Sequence, residues 1–217
     1  MYGSRRTRLA VAIAVVVLGT AVCWARKQFL MPAAQSARTY PAHDQHPKEG
    51  VTVALDPYDK SEKARIFSVH YSEIGMLPIM MVVTNDGDQP IALTGMKAEL
   101  VTANRTKLSP AVPDDLYRRL SRPSARTTNY PLPFPRKKVK GGVGKEAREE
   151  ILNSQFGAKA VEPHSTQAGF LFFDIHGLSS PLAGAHFYLT GVRNAQGNEL
   201  MYFEIPLDKY LNASPKP

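Results

Sequence analysis

Asp174 and His176 stand two positions apart with Ser179 and Ser180 close behind, so the chain holds the ingredients of a nucleophile, a base and an orienting acid. Such groups act through geometry in space rather than adjacency in sequence, and no glycine-flanked serine of the nucleophile-elbow type accompanies them. The spacing instead predicts a strand end running into a loop over residues 176–184. Met76, Met80 and Met81, with His70 upstream, offer thioether and imidazole ligands of the kind that suit copper(I). Met80 and Met81 are neighbours, however, and neighbours in a strand point to opposite faces, which leaves core filling as their role. His43 and His46 are spaced to share a metal, but on a flexible stretch binding has to order the chain first. The expectation is a chain that is not an enzyme and has no catalytic residue, metal ligand or cofactor. The alternative is a weak metal-binding or hydrolytic site near His70 and Met80 or near Asp174 and His176.

The charge of the chain is lopsided. Its net +8 divides into +5 over residues 1–30, −3 over 31–103, +9 over 104–148 and −3 over 149–217. A uniform polyanion-binding surface is thereby excluded, and nucleic acid is not the expected partner because no aromatic side chains interleave with the cations as stacking platforms. The basic stretch contains Tyr130-Pro131-Leu132-Pro133-Phe134-Pro135, a polyproline-like run that leads into Arg136, Lys137, Lys138 and Lys140. These four cations are the candidate contacts for anionic lipid, an envelope polymer or an acidic protein. Lys140-Gly141-Gly142-Val143-Gly144-Lys145 resembles the phosphate loop of the partition-type ATPases, in which a threonine follows. Here Glu146 follows, placing a carboxylate where a magnesium-binding hydroxyl is needed, and no buried parallel strand precedes the loop. The segment reads as a glycine hinge before a short helix.

These candidates must be positioned by an exported, mainly β chain. Arg5, Arg6 and Arg8 precede an uncharged apolar run over residues 9–24. At about 1.5 Å per residue the run spans roughly 24 Å as a helix, close to a hydrocarbon core once arginines and Trp24 reach the interfaces. A retained single-pass anchor, a cleaved signal peptide and a lipoprotein at Cys23 are the alternatives. The surplus of arginine before the run predicts a cytoplasmic N-terminus and an extracytoplasmic domain, periplasmic if the source is bacterial. Cys23 is the only cysteine, so no intramolecular disulfide forms.

Residues 31–50 have three prolines and no apolar periodicity, the composition of a flexible tether. Beyond them the pattern predicts short strands over 51–55, 65–71, 169–175, 185–192 and 199–207, arranged around a central hairpin over 77–100. In the last strand Met201, Phe203, Ile205 and Leu207 share a face. Residues 104–156 interrupt the strands as a proline-rich basic insertion of small energetic weight. It carries two short helices, over 114–120 and over 145–156, the second with Ala147, Ile151 and Leu152 on one stripe. The apolar strand that ends in Thr84-Asn85-Asp86-Gly87-Asp88, followed by Pro90-Ile91, resembles the immunoglobulin-like modules common in exported bacterial proteins. The resemblance implies an antiparallel immunoglobulin-like β-sandwich. The expected organisation is a signal or anchor over 1–30, a tether over 31–50, a sandwich domain over 51–211 with its insertion at 104–156, and a disordered tail over 212–217. Its expected role is a membrane-anchored binding or scaffolding module.

Overall fold

In the computed structural model, which describes residues 29–121 and 143–213, the strand Met76–Asn85 (β3) is buried at every position. Alternation sends Leu77, Ile79, Met81 and Val83 into one apolar cluster and Met76, Met80 and Val82 into another. A strand apolar on both parities needs cover on both faces and a partner on both edges, and β3 has all of these. It pairs antiparallel with Val51–Pro57 (β2) on one side and with Ser165–Asp174 (β8) on the other. Pro78 is tolerated in so central a strand because its carbonyl accepts from the Tyr58 amide at 2.9 Å just where β2 ends. The donor it lacks is missed only once there.

Ala42–His46 (β1) pairs antiparallel with β2 and completes a four-stranded sheet in the order β1-β2-β3-β8. A second four-stranded sheet runs β10-β9-β5-β6, from Phe203–Pro206 (β10), His186–Thr190 (β9), Lys97–Val101 (β5) and Lys107–Leu108 (β6). Leu100, Phe187, Leu189, Phe203 and Ile205 of this second sheet share one core cluster with the inward residues of the first. Ile91–Ala92 (β4) and Ala160–Val161 (β7) form a two-stranded ladder. Asp208–Ala213 is a C-terminal helix (α4).

The outer face of the first sheet carries a covering layer. It comprises the segment from Phe29 to Tyr40, the helix Ser61–Ala64 (α1) with the segment after it, and the helices Pro113–Ser121 (α2) and Lys145–Ser154 (α3). Leu116 of α2 and Ile151 of α3 are fully buried there. The described ends of the insertion therefore do contribute to a core, contrary to the expectation of small energetic weight.

Five further expectations are corrected. The central hairpin does not form: β5 pairs with β6 and β9, in the other sheet. β5 has one wet face and suits a sheet covered on one side only, whereas β3 needs cover on both faces. The intervening turn is fixed by Asn85, whose amide donates to Gln89 O at 2.8 Å and Val161 O at 3.1 Å. Residues 31–50 are not a tether, since Ala37 and Ala42 are fully buried and β1 lies within them. Small residues bury there without apolar periodicity, and the polar side chains of an edge strand hide the pattern: Asp44 accepts from the Glu204 amide at 3.0 Å. The last strand begins only at Phe203, and Met201 is 72% exposed, outside the buried stripe. Leu152 likewise faces outward on α3 while Ile151 faces in. Residues 212 and 213 belong to α4 rather than to a tail. The apolar run 9–24 and the four candidate cations lie outside the described residues. Among those described, no helix is long and apolar enough to cross a membrane.

Candidate functional site: a groove at the rim of the covering layer

Residues 65–71 alternate as a strand should, with Phe67, Val69 and Tyr71 buried and Ser68 and His70 exposed. No ladder forms, because the partner is a carboxylate from a helix 82 positions along. Glu150 of α3, itself buried, accepts from the Ser68 amide at 2.6 Å, from Ser68 Oγ at 2.5 Å and from the Val69 amide at 3.2 Å. An extended segment with its amides satisfied in this way shows strand periodicity without being a strand. It ends in the 3-10 turn Tyr71–Ile74, closed by Gly75 in the left-handed conformation (φ 69°). A β-carbon at Gly75 would come within 3.2 Å of His176 Cβ, so both the turn and the neighbouring loop require glycine.

The segment forms one wall of an open groove of about 750 Å³. Its lining includes the aromatic Tyr58, Phe67 and Tyr71, the exposed His70 and Glu73, and Ile175 and Ser179 from the loop after β8. Phe67 sits at the centre of the aromatic packing, edge-on to Tyr71 at 5.1 Å and to Phe170 at 4.9 Å. Burial, then the charge of Asp56 and then Tyr40, push the Tyr58 phenol up to about 12. The Tyr71 phenol is held above its ordinary value as well, first by burial and then by the charge of Glu150. Its hydroxyl lies near Glu150 and Ser154 without a well-aligned bond to either. Both rings therefore present neutral hydroxyls across the physiological range.

The residues singled out from the sequence are dispersed by the fold. Asp174, at the end of β8, is bound by Arg119 of α2 and accepts from the backbone amide of His176 at 3.0 Å. Arg119 also donates to Ile74 O at 3.3 Å, pinning α2 to the 3-10 turn. The His176 ring makes no hydrogen bond to this carboxylate, and neither Ser179 nor Ser180 joins them, so the hydrolytic alternative has no geometry here. The metal alternative fares no better: Met80 is closed into the aromatic layer, whereas the His70 side chain is 74% exposed and faces Glu73 at 3.6 Å. Met81 lies in the other core cluster, as alternation requires. His43 is bonded through Nδ1 to Tyr40 O at 2.6 Å, and His46 stacks on Phe203 at 4.0 Å, so the two rings are separately engaged. Among the described residues no three His, Cys, Asp or Glu side chains gather to hold a metal. Gly144 precedes α3 directly, so a helix does follow the glycine segment, as expected.

Two features went unpredicted. Glu150 shares the buried stripe of α3 with Ala147, Ile151 and Ser154, and a carboxylate on an apolar stripe was the available signal. The second is a polar cluster on the outer face of the second sheet, where Glu204 accepts from Tyr188 at 2.9 Å and pairs with His186 at 2.8 Å. The bond from the Tyr188 hydroxyl to Glu204 is the main reason that phenol is raised.

No family model and no curated protein matches the chain. Among solved structures it is similar to a conserved hypothetical protein from Bacillus anthracis, at 12% identity over 76% of this chain and 97% of that one, with a TM-score of 0.29. At that level the likeness carries no argument about fold or function.

Proposed function

We propose that the chain is a binding or scaffolding module held outside a membrane by its N-terminal apolar run and built on an immunoglobulin-like sandwich. The strand order supports the sandwich. Taken along the chain, β2, β3, β5, β6, β8, β9 and β10 fall where strands A, B, C, C′, E, F and G stand in such domains, with A-B-E in one sheet and G-F-C-C′ in the other. β1 is then an additional strand outside A. The position of strand D, beside β8, is filled by passing backbone: the amides of Phe156 and Ala111 donate to Phe170 O and Phe172 O at 3.0 and 2.7 Å.

One observation carries the binding reading over a catalytic one. The groups equipped for chemistry are spent on structure, Asp174 on Arg119 and a backbone amide, Glu150 on three donors, and neither lines the open groove, whose walls include Tyr58, Phe67 and Tyr71. Its partner on the membrane side is anionic lipid, an envelope polymer or an acidic protein, engaged through Arg136, Lys137, Lys138 and Lys140. Acting as a solvated docking surface, these four should be replaceable by serine with the melting temperature nearly unchanged, because solvated charges contribute little to stability. Binding to vesicles rich in phosphatidylglycerol should fall sharply and should already be weaker in high salt. Undiminished binding by the serine variant would refute electrostatic docking. The anchor is tested by carbonate extraction of membranes, which should leave the protein in the pellet.

A further inference from the structure

Phe29 stacks on Phe67 at 5.5 Å and meets Phe170 edge-on at 6.5 Å, so the chain already belongs to the covering layer at its first described residue. Trp24, which ends the apolar run, is only five residues earlier. Five fully extended steps reach at most about 18 Å. A flexible tether over residues 31–50 would have given the body an r.m.s. reach of about 25 Å more, and that tether does not exist. Whatever holds the apolar run must therefore lie close to the layer on which Phe29 packs.

The same layer bears apolar side chains that the fold does not use. Leu30 is 82% exposed, Val112 57% and Leu152 60%, and they are three of the five exposed large apolar side chains among the described residues. Each adjoins a residue that packs inward on the covering layer, namely Phe29, Ala111 and Ile151 respectively. Isolated surface leucines mean little. Here they stand on the layer against which Phe29, five residues after the apolar run, is packed.

We infer that the covering layer rests on the bilayer surface, with Leu30, Val112 and Leu152 entering the headgroup region and the second sheet facing away. This rests on the reading of residues 9–24 as a span. On α3 the exposed cations Lys145 and Arg148 are offset by Glu146 and Glu149, so the contact is apolar and persists in high salt.

The test uses the full-length chain in phosphatidylcholine vesicles, in a Cys23→Ser background, with a nitroxide attached after Leu152→Cys, Val112→Cys or Lys107→Cys. Lys107 projects from β6 in the second sheet and is the distal control. Labels at 152 and 112 should be severalfold less accessible than the label at 107 to a water-soluble nickel chelate, and more accessible to oxygen. The contrast should survive molar salt. Equal aqueous access at all three positions in protein that resists carbonate extraction overturns the docked orientation and leaves the anchor standing. Protein released by carbonate overturns the anchor and the orientation with it. All three replaced side chains are exposed, so unchanged melting of the labelled proteins shows that the fold is intact.

Discussion

Replacing Glu150 by alanine removes the acceptor for three donors at once and separates α3 from the segment that walls the groove. The three losses are unequal. The Val69 amide is buried and is left without a partner, which costs about 1–3 kcal/mol. Ser68 is exposed, so its amide and hydroxyl recover water and each loss is about 0.5 kcal/mol net. The sum is about 3 kcal/mol. For a chain of this size that lowers the melting temperature by about 6–12 °C. Glu150→Gln keeps one acceptor oxygen and turns an NH₂ toward a donor, so it should cost about 2 kcal/mol. Ser68→Ala removes only one bond at an exposed residue and should cost under about 1 kcal/mol. The assay is thermal denaturation followed by near-ultraviolet circular dichroism on the detergent-solubilised full chain, with hydrogen exchange at the Val69 amide as the local readout. Protection at Val69 should collapse in Glu150→Ala and persist in Ser68→Ala. If the alanine variant melts no lower than Ser68→Ala, the carboxylate is not what holds the segment and the account of residues 65–71 is wrong.

Gly169 lies beneath Phe156, and a β-carbon there would sit 2.4 Å from Phe156 Cα. Gly169→Ala should therefore push the backbone at Phe156 off β8 and lower stability in urea by about 1–3 kcal/mol; an unchanged urea midpoint would show that the segment yields freely. Tyr58, raised to about 12 against an unfolded value near 10, holds its proton more tightly folded than unfolded. Its contribution is thus fully present below about pH 10 and is lost as pH rises through about 12. A phenolate titration at 295 nm should show Tyr58 silent until that range, and Tyr58→Phe should reduce the alkaline loss of stability; ionisation of Tyr58 near pH 10 in the folded protein would contradict its burial.

How much of this was legible depended on where each segment finds its partners. β3 was readable because its apolar residues fall on both parities, and β9 with β10 because their alternation and turn lie together in sequence; the two pair antiparallel as expected. Residues 65–71 had the right parity and the wrong secondary structure, since the periodicity of an extended segment does not reveal whether a strand or Glu150 takes its amides. β1 was invisible for a different reason. An edge strand of Ala, His, Asp and Gln has little apolar surface, and its place is set by Asp44 at the Glu204 amide and His46 against Phe203, partners some 160 positions away. The candidate site was missed for the same cause as both: its walls come from the segment after β2, the 3-10 turn and the loop after β8, and no local pattern announces their meeting.

The misread tether has the largest functional consequence, because the stand-off of an anchored domain decides what it can touch. A module on a flexible lead samples a volume and can meet partners at any orientation, with an effective concentration set by the lead. Once Ala37, Ala42 and Phe29 are packed, that freedom disappears, and a span at residues 9–24 fixes which faces are available. In the proposed orientation the outer face of the second sheet, with Tyr188, His186 and Glu204, points away from the bilayer, while the covering layer with α2 and α3 faces it. Two proposed contacts with lipid then have to be told apart, the electrostatic one of Arg136, Lys137, Lys138 and Lys140 and the apolar one of Leu30, Val112 and Leu152. The two contributions separate experimentally by salt, which screens the first and leaves the second.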